Sequence, residues 1–247
     1  MKHLSYILIS ALILLSACTE SVDNAARQDQ LPKIFPDYIG VTIPENIAPM
    51  NFCVDDNIEK IDVTVRGSNG GEMHVQDDYA DFDIDEWHSI VSQNKGGKLT
   101  FSVCVKKGGQ WLRYNDFTMT VSQYDMPDYA LTYRRIAPGY EVYSKMGLYE
   151  RRLDNFDERA LIENTQVPGM CVNCHTSCKT NPDNYVFHIR GDHGGTLFKT
   201  GQKTEILKAK NDSIKGSMVY PYWHPSGKYC TFSTNMTRQG FHMVKDE

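Results

Sequence analysis

The sequence of 247 residues lacks the features that define several large classes of protein. Its apolar run at residues 4–15 is shorter than the roughly 20 residues that a membrane-spanning helix needs. The formal net charge of -5 leaves no basic excess, which argues against a dedicated nucleic-acid binder. With 40% hydrophobic and 23% charged residues, the composition excludes collagen-like and fully disordered chains. The length allows one or two domains with a sizeable core.

Familiar hydrolase motifs are also missing. The sequence contains no His-Glu-x-x-His zinc helix, no glycine-rich phosphate loop of the Walker type and no recognisable Ser/His/Asp order. The motifs therefore give no support to a hydrolase.

Cysteine is scarce, and because the number, seven, is odd, at least one cysteine cannot be paired in a disulfide within the chain. Cys18 follows a basic start and the apolar run, within the segment LSAC at residues 15–18. This segment resembles the lipobox of bacterial lipoproteins, in which the chain is cut before a cysteine that then carries lipid. The resemblance implies lipidation of Cys18 and an envelope protein anchored to the membrane, on the periplasmic or surface face of the outer membrane. The alternative is an ordinary secretory signal in which Cys18 is incidental.

Alternating apolar residues predict short strands at residues 61–65, 98–105 and 117–121, with glycine-rich turns after the first two. Their spacing predicts an antiparallel, Ig-like β-sandwich over residues 41–123, with a short helix or turn at 85–93. Cys53 and Cys104 lie in two of the predicted strands. They could form a disulfide in an oxidising periplasm, or remain two free buried thiols.

The next segment, residues 124–183, is rich in tyrosine and arginine and is predicted to be a linker. Asn155 followed by Glu158 resembles a capping box, which predicts a short helix at 156–163. The tyrosines could stack against a sugar or a flat cofactor, but packing between domains is the interpretation we favour.

The segment CVNCH at residues 171–175 carries the most specific signal. The pattern Cys-x-x-Cys-His is the attachment site of c-type heme. Cys171 and Cys174 would form thioethers with the two heme vinyl groups, and His175 would be the axial ligand of the iron. The spacing leaves the second axial ligand open, with His188, His193, Met146 and Met170 as candidates. The sequence thus predicts covalent heme c that exchanges electrons with a redox partner in the envelope.

Other uses of these cysteines remain open. Cys171 and Cys174 could form a structural disulfide, or join Cys178 and His175 in a zinc or iron–sulfur site. A redox dithiol is a third alternative, although no thioredoxin-like βαβ pattern surrounds the motif.

The last segment contains WHPSGK at residues 223–228, followed by YCTFSTN at 229–235. This run resembles the repeat of TolB-like (WD40-like, PD40) β-propellers. Residues 171–242 also resemble a group of bacterial lipoproteins often labelled "cytochrome c biosynthesis protein". In that group a Cys-x-x-Cys-His segment precedes a Phe-His-x-Arg strand, here residues 187–190, and a Gly-Gly-Thr turn. The resemblance implies a propeller that is incomplete after about one blade, because propellers close with four to eight blades.

The sequence therefore predicts a mainly β envelope lipoprotein with one covalent heme, which we expect to be an electron carrier or a binding protein more than an enzyme. The alternative is a non-enzymatic TolB-like binding or scaffold lipoprotein, in which the two motif cysteines form a disulfide or a metal site. The expected segments are a signal peptide at 1–17, a tether at 18–40, the sandwich at 41–123, the linker with the motif at 124–183 and the partial propeller at 184–247.

Overall fold

A computed structural model describes residues 19–54, 57–124, 126, 130–136, 145–166, 169–179, 181–191 and 193–235. These residues are mainly β, with one α-helix and several sheets, none of which closes into a barrel within the described ranges. The chain divides into an N-terminal unit of residues 1–125 and a C-terminal unit of residues 126–247. The division lies two residues after the predicted end of the sandwich.

The N-terminal unit contains nine strands and one helix in its described part. They are β1 (Ala26–Arg27), β2 (Ile34–Phe35), β3 (Thr42–Ile43), β4 (Cys53–Val54), β5 (Lys60–Gly67), β6 (Glu72–Asp77), α1 (Ile84–Gln93), β7 (Lys98–Lys107), β8 (Gln110–Arg113) and β9 (Phe117–Val121). The predicted strands at 61–65, 98–105 and 117–121 are confirmed, and the segment at 85–93, predicted as a short helix or turn, is a helix.

Strand β7 organises the main sheet because it is long enough to pair with different partners at its two ends. The path runs β1-β8-β7-β5-β6, and β9 also pairs with β7 and carries β3 on its other side. The first half of β7 pairs with β9 and the second half with β8, while β5 runs along its opposite edge. Strands β2 and β4 form a separate pair.

One apolar core fills this unit. Val63 and Phe101 from the sheet are completely buried, and Ile34 and Val54 from the β2–β4 pair belong to the same cluster. Helix α1 adds Trp87, Ile90 and Val91 to the buried side chains, at the i, i+3 and i+4 spacing of one helix face. The small β2–β4 pair and the helix therefore share the core of the large sheet.

The predicted tether at 18–40 is wrong for its described part. The backbone of Glu20 makes two hydrogen bonds with the side-chain amide of Gln76 on β6, at 2.7 and 2.8 Å. The carboxylate of Glu20 lies 2.6 Å from Lys106 Nζ and 3.2 Å from Lys60 Nζ. Polar composition predicted a free segment, but its charges pair with lysines that are distant in sequence.

The C-terminal unit contains nine strands in its described part. They are β10 (Leu131–Ile136), β11 (Met146–Arg151), β12 (Glu158–Glu163), β13 (Cys171–Cys178), β14 (Asn181–Arg190), β15 (Gly195–Thr200), β16 (Lys203–Leu207), β17 (Ser217–Trp223) and β18 (Cys230–Asn235). They form three antiparallel sheets, β10-β11-β12, β13-β14-β15-β16 and β17-β18, and neighbours in each sheet are consecutive in the chain.

The segment predicted as a linker, residues 124–183, contains β10 to β13 and is therefore largely sheet. The helix predicted at 156–163 is wrong, since Glu158–Glu163 is strand β12 and pairs with β11. Asn155 Oδ1 accepts a hydrogen bond from the backbone N–H of Asp157 at 2.8 Å. An N-cap and an Asx-turn make this same local bond, so the capping signal did not distinguish a helix from a turn that leads into a strand.

The four-stranded sheet β13–β16 packs against apolar residues of both neighbouring sheets. Phe187 and Val172 belong to a buried cluster with Leu148 of β11. Phe198 of β15 makes edge-to-face contacts with Trp223 of β17 and Phe232 of β18, at centroid distances of 6.4 and 5.8 Å.

Candidate functional site

The Cys-x-x-Cys-His motif lies on β13, the first strand of the four-stranded sheet. Asn173 pairs with His188 of β14, but the register shifts before Thr176, which pairs with Val186. Cys174 and His175 are thus the two residues of a β-bulge. Cys174 has a φ of 51°, in the left-handed region that non-glycine residues rarely adopt. The bulge therefore breaks the pattern in which successive side chains of the motif point to opposite faces of the sheet.

The thiol of Cys171 is buried in the core of the unit. Its side chain has 5% exposure, and its Sγ atom lies 3.7 Å from Sδ of Met146 on β11. Cys174 is only half-buried. The two motif cysteines therefore differ in their access to solvent.

The imidazole of His175 faces the neighbouring sheet. Its Nε2 atom lies 3.4 Å from the backbone carbonyl oxygen of Thr132 on β10. Burial lowers the pKa of His175 below its usual value, the carbonyl contact opposes this shift, and the charge of Arg134 adds to it. These effects together favour the neutral imidazole at neutral pH.

Arg134 of β10 is a residue that sequence analysis did not assign to the site. Its guanidinium donates to Oδ1 of Asn173 at 3.2 Å and lies 3.4 Å from Sδ of Met146. Its Nε atom is buried without a hydrogen-bond partner among the described residues. No sequence signal separated Arg134 from the exposed Arg135 beside it, because only the tertiary contact with β13 distinguishes them.

The motif residues do not fit a c-type heme in this conformation. Thioether attachment needs both thiols beside one heme edge, whereas the Cys171 thiol is packed in the core against Met146. Ligation of iron by His175 needs a free ring nitrogen that faces the heme, whereas Nε2 faces the Thr132 carbonyl. In the described part of the chain, no group of three or more His, Cys, Asp or Glu side chains is arranged to hold a metal ion. The proposed set of Cys171, Cys174, Cys178 and His175 is therefore not assembled.

His188, the candidate distal ligand, lies in a different environment from His175. It is buried on β14, and its Nδ1 atom lies 3.1 Å from Oγ1 of Thr196 on β15. Burial lowers its pKa, and the charges of Arg190 and Lys210 contribute in the same direction. The hydrogen bonds of the described residues do not connect His188 to His175.

Cys53 and Cys104 are separate free thiols in the structure, so the possible disulfide between them is not formed. Cys53 is exposed on β4, where its thiol donates to the carbonyl of Phe35 at 3.4 Å. Cys104 is buried on β7, where its register partner is Asp62. The expectation of two buried thiols is therefore half right. Cys18, the predicted lipidation site, lies outside the described residues.

No protein-family model, no curated protein and no solved structure matches this chain. Helix α1, with ten residues, is the longest helix in the described ranges, and none there is a candidate for a membrane span.

Proposed function

We propose that this chain is a lipid-anchored binding or scaffold protein of the bacterial cell envelope, whose C-terminal unit is part of a TolB-like β-propeller. The observation that carries the proposal is the packing of the sheet β13–β16. Leu197 and Phe198 are consecutive on β15, so their side chains point to opposite faces of the sheet. Leu197 packs against the cluster that includes Leu148, and Phe198 contacts Trp223 and Phe232.

A four-stranded antiparallel sheet that packs between two others is the arrangement of a propeller blade. On this proposal β13–β16 is one blade, β10–β12 belongs to the blade before it and β17–β18 belongs to the blade after it. The motif cysteines then lie within a blade strand. The resemblance of residues 223–235 to the propeller repeat supports the same assignment, since these residues form the turn and second strand of the β17–β18 hairpin.

For the N-terminal unit we propose an Ig-like sandwich. The contribution of Ile34 and Val54 to the core of the large sheet supports two layers around one core. This part of the proposal assigns the unit a supporting role.

A binding role is supported by the aromatic surface of the β17–β18 hairpin. Tyr220, Tyr222 and Tyr229 are 64%, 72% and 68% exposed, respectively. Tyrosine is enriched at protein interfaces, where it buries a large area at a low entropic cost. We propose that another envelope protein or a further blade packs against this hairpin.

A covalent c-type heme that serves electron transfer is the second candidate function, and the spacing of Cys171, Cys174 and His175 is the observation that favours it. Its assembly would require the Cys171 thiol to leave the apolar core and His175 Nε2 to leave Thr132. His188 would keep its Nδ1 contact with Thr196, because its other ring nitrogen, Nε2, makes no hydrogen bond with a described residue.

One measurement, the detection of covalent heme, distinguishes the two proposed functions. The chain is expressed with the cytochrome c maturation machinery and tested by heme-stained denaturing gel and by a pyridine hemochrome spectrum. We expect no covalent heme and alkylatable thiols at both Cys171 and Cys174. A heme signal that disappears in Cys174→Ser would overturn the binding-protein proposal and establish the second candidate.

The anchor is tested separately by mass spectrometry of the mature N-terminus. We expect diacylglycerol and an acylated amine on Cys18, and we expect Cys18→Ala to remain unprocessed in the lipoprotein pathway. A Cys18→Ala protein that is processed normally and released would contradict the lipid anchor and leave the binding role of the C-terminal unit unaffected.

A further inference from the structure

A cavity of about 500 Å³ opens in the C-terminal unit, around the ends of β14 and β16 and the start of β15 and β17. Its wall includes His188, Arg190 and Thr196, which belong to the two short motifs that the sequence analysis singled out and that the proposed function does not use. The volume is in the range of small-molecule sites.

Every charged side chain among the described lining residues of the cavity is positive, namely Arg190, Lys208 and Lys210. None of these three cations makes a salt bridge with a residue in the described ranges. Asp192, two residues after Arg190 in the sequence, is outside those ranges. Like charges that share one cavity repel each other, and a bound anion would remove this repulsion.

Neutral polar groups lie beside the cations. The buried hydroxyl of Thr196 is 3.1 Å from His188 Nδ1 and lies at 3.4 Å from the Met218 carbonyl oxygen. The second ring nitrogen of His188, Nε2, makes no hydrogen bond with a described residue. Burial and the charges of Arg190 and Lys210 keep the imidazole neutral, so this nitrogen can donate or accept according to the tautomer.

Glycines bring the backbone close to the same space. Gly191, Gly194, Gly195 and Gly216 all line the cavity. Gly191 has a φ of 106°, and a Cβ atom there would lie 2.3 Å from the carbonyl oxygen of Gly169. The N–H of Gly194 donates to the carbonyl of Gly191 at 2.9 Å, so the charged side chains are the groups offered to an anion.

We propose that this cavity binds a phosphate monoester of a small organic molecule. Arg190 would contact the phosphate through its planar guanidinium, and Lys208 and Lys210 would act as point charges. Leu207 and Met218, which also line the cavity, would contact the organic part. The site rests on these side chains alone and does not depend on the anchor, on the propeller assignment or on heme.

The test is isothermal titration calorimetry of the full mature chain with phenyl phosphate, inorganic phosphate and sulfate at constant ionic strength. We expect phenyl phosphate to bind most tightly, and we expect at least a tenfold loss of affinity in the double variant Lys208→Gln/Lys210→Gln. Both lysines are exposed, so the variant should fold. The matched control is Lys199→Gln/Lys203→Gln, which removes the same charge from β15 and β16 outside the cavity wall.

Three outcomes would overturn the proposal. One is no detectable binding of phenyl phosphate or inorganic phosphate to the unmodified chain. The second is an equal loss of affinity in both double variants, which would indicate attraction by net charge without a site. The third is equal affinity for phenyl phosphate and sulfate, which would indicate a general anion site.

A second inference concerns Cys178 and Cys230, for which the sequence analysis named no disulfide partner. A Cβ atom built on Gly227 would lie 3.2 Å from Sγ of Cys178, so the turn between β17 and β18 approaches the end of β13. Trp223, the register partner of Cys230, donates its indole N–H to the carbonyl of Thr176 at 3.3 Å. Burial raises the pKa of Cys230, and the Cys178 thiol adds to the shift, as expected for two neighbouring groups that ionise to anions.

We infer that Cys178 and Cys230 form a disulfide when a donor disulfide is present. One thiolate attacks the donor and forms a mixed disulfide, and the other thiolate then displaces the second donor thiol. The two protein thiols lose two electrons and two protons in total, and the donor is reduced to two thiols. The bond would join the hairpin β17–β18 to the sheet β13–β16.

Oxidised glutathione is the donor in the test. The folded chain is incubated with it, free thiols are then alkylated, and the digest is analysed by mass spectrometry with and without prior reduction. We expect a linked peptide pair that contains Cys178 and Cys230, lost in Cys178→Ser and in Cys230→Ser and retained in Cys171→Ser. Recovery of both cysteines alkylated, or linkage of either to Cys171 or Cys174, would overturn the inference.

Discussion

The two units of this chain differ in what they bury. The N-terminal unit contributes ten of the twelve largest fully buried side chains, all apolar, and its buried Asp62 and Asn94 are both hydrogen-bonded. The C-terminal unit buries His188, Thr196, Cys171 and Cys178, and it half-buries Arg134 without a carboxylate partner among the described residues. Buried polar and reactive groups cost stability unless they are well paired, so they indicate a role other than packing. The comparison indicates that the first unit mainly contributes stability and that the second carries the groups suited to binding or reaction.

The largest effect that can test this comparison comes from the apolar core. Phe101 is completely buried and stacks on Phe117 at a centroid distance of 4.8 Å. We expect Phe101→Ala to lower the free energy of unfolding of the N-terminal unit by about 3–5 kcal/mol, because the truncation leaves a cavity. The measurement is urea unfolding followed by tryptophan fluorescence in a Trp223→Phe background, which leaves only Trp87 and Trp111 as reporters.

The control for this prediction is the C-terminal unit of the same variant. Its unfolding, followed by hydrogen exchange of peptides from β13–β16, should keep the midpoint of the unsubstituted chain. Phe187→Ala, a matched truncation of a buried phenylalanine in the other unit, should give the opposite pattern. Equal destabilisation of both units by either variant would show that the units do not unfold separately.

The next effect is a loss of stability at alkaline pH in the N-terminal unit. Burial, reinforced by the charge of Asp62, raises the pKa of Cys104 from 9.0 to about 11. Because the folded-state pKa is raised, the contribution is fully present below pH 9 and is lost as pH rises towards 11. A shift of this size corresponds to about 2–3 kcal/mol. Cys104→Ala should lose this part of the pH dependence of urea unfolding, and the exposed Cys53→Ala should retain it.

A smaller effect is expected at the start of helix α1. The carboxylate of Asp83 accepts hydrogen bonds from the backbone N–H groups of Asp85 and Glu86, both at 3.0 Å. Asp83→Ala should therefore cost about 1 kcal/mol of N-terminal stability, measured by urea unfolding. Asp83→Ser, which can make the same caps, should recover most of the loss. No recovery by serine would contradict the capping explanation.

The smallest effect that we expect lies at acidic pH in the C-terminal unit. Burial lowers the pKa of His188 from 6.5, so its contribution to stability is present above that value and is lost as pH falls through the lowered folded-state pKa. The effect should be small because the imidazole lines an open cavity and can regain water when it is protonated. Trp223 fluorescence should show a weaker acid dependence in His188→Gln than in the exposed control His193→Gln. Identical curves would contradict this assignment.

Local sequence patterns predicted much of the fold. The strands at 61–65, 98–105 and 117–121 alternate with period two and end at or near a turn, and the helix at 85–93 shows a helical pattern of apolar residues. The error at 156–163 arose because Asn155 makes a bond that helices and turns share. The docked segment after Cys18 was missed because ion pairs between Glu20 and distant lysines leave no local pattern.

The candidate site was less predictable than the fold. The spacing of Cys171, Cys174 and His175 identified a motif, but it could not indicate that the motif lies in a bulged strand whose first thiol packs against Met146. The role of Arg134 depends on contacts between β10 and β13, and these become visible only in three dimensions. The cavity around Arg190 likewise combines residues from four strands and the segments that connect them.

The docking of Glu20 sets a mechanical limit on the proposed anchor. Only Thr19 separates Cys18 from Glu20, and an extended chain advances about 3.3–3.6 Å per residue. A lipid on Cys18 would therefore hold the backbone of Glu20, with the paired Lys60 and Lys106, within about 7 Å of the lipidated residue, as long as Glu20 keeps both ion pairs. The N-terminal unit could then rotate at the bilayer surface but would stay close to it. Any partner of this unit would have to bind it at that distance from the membrane.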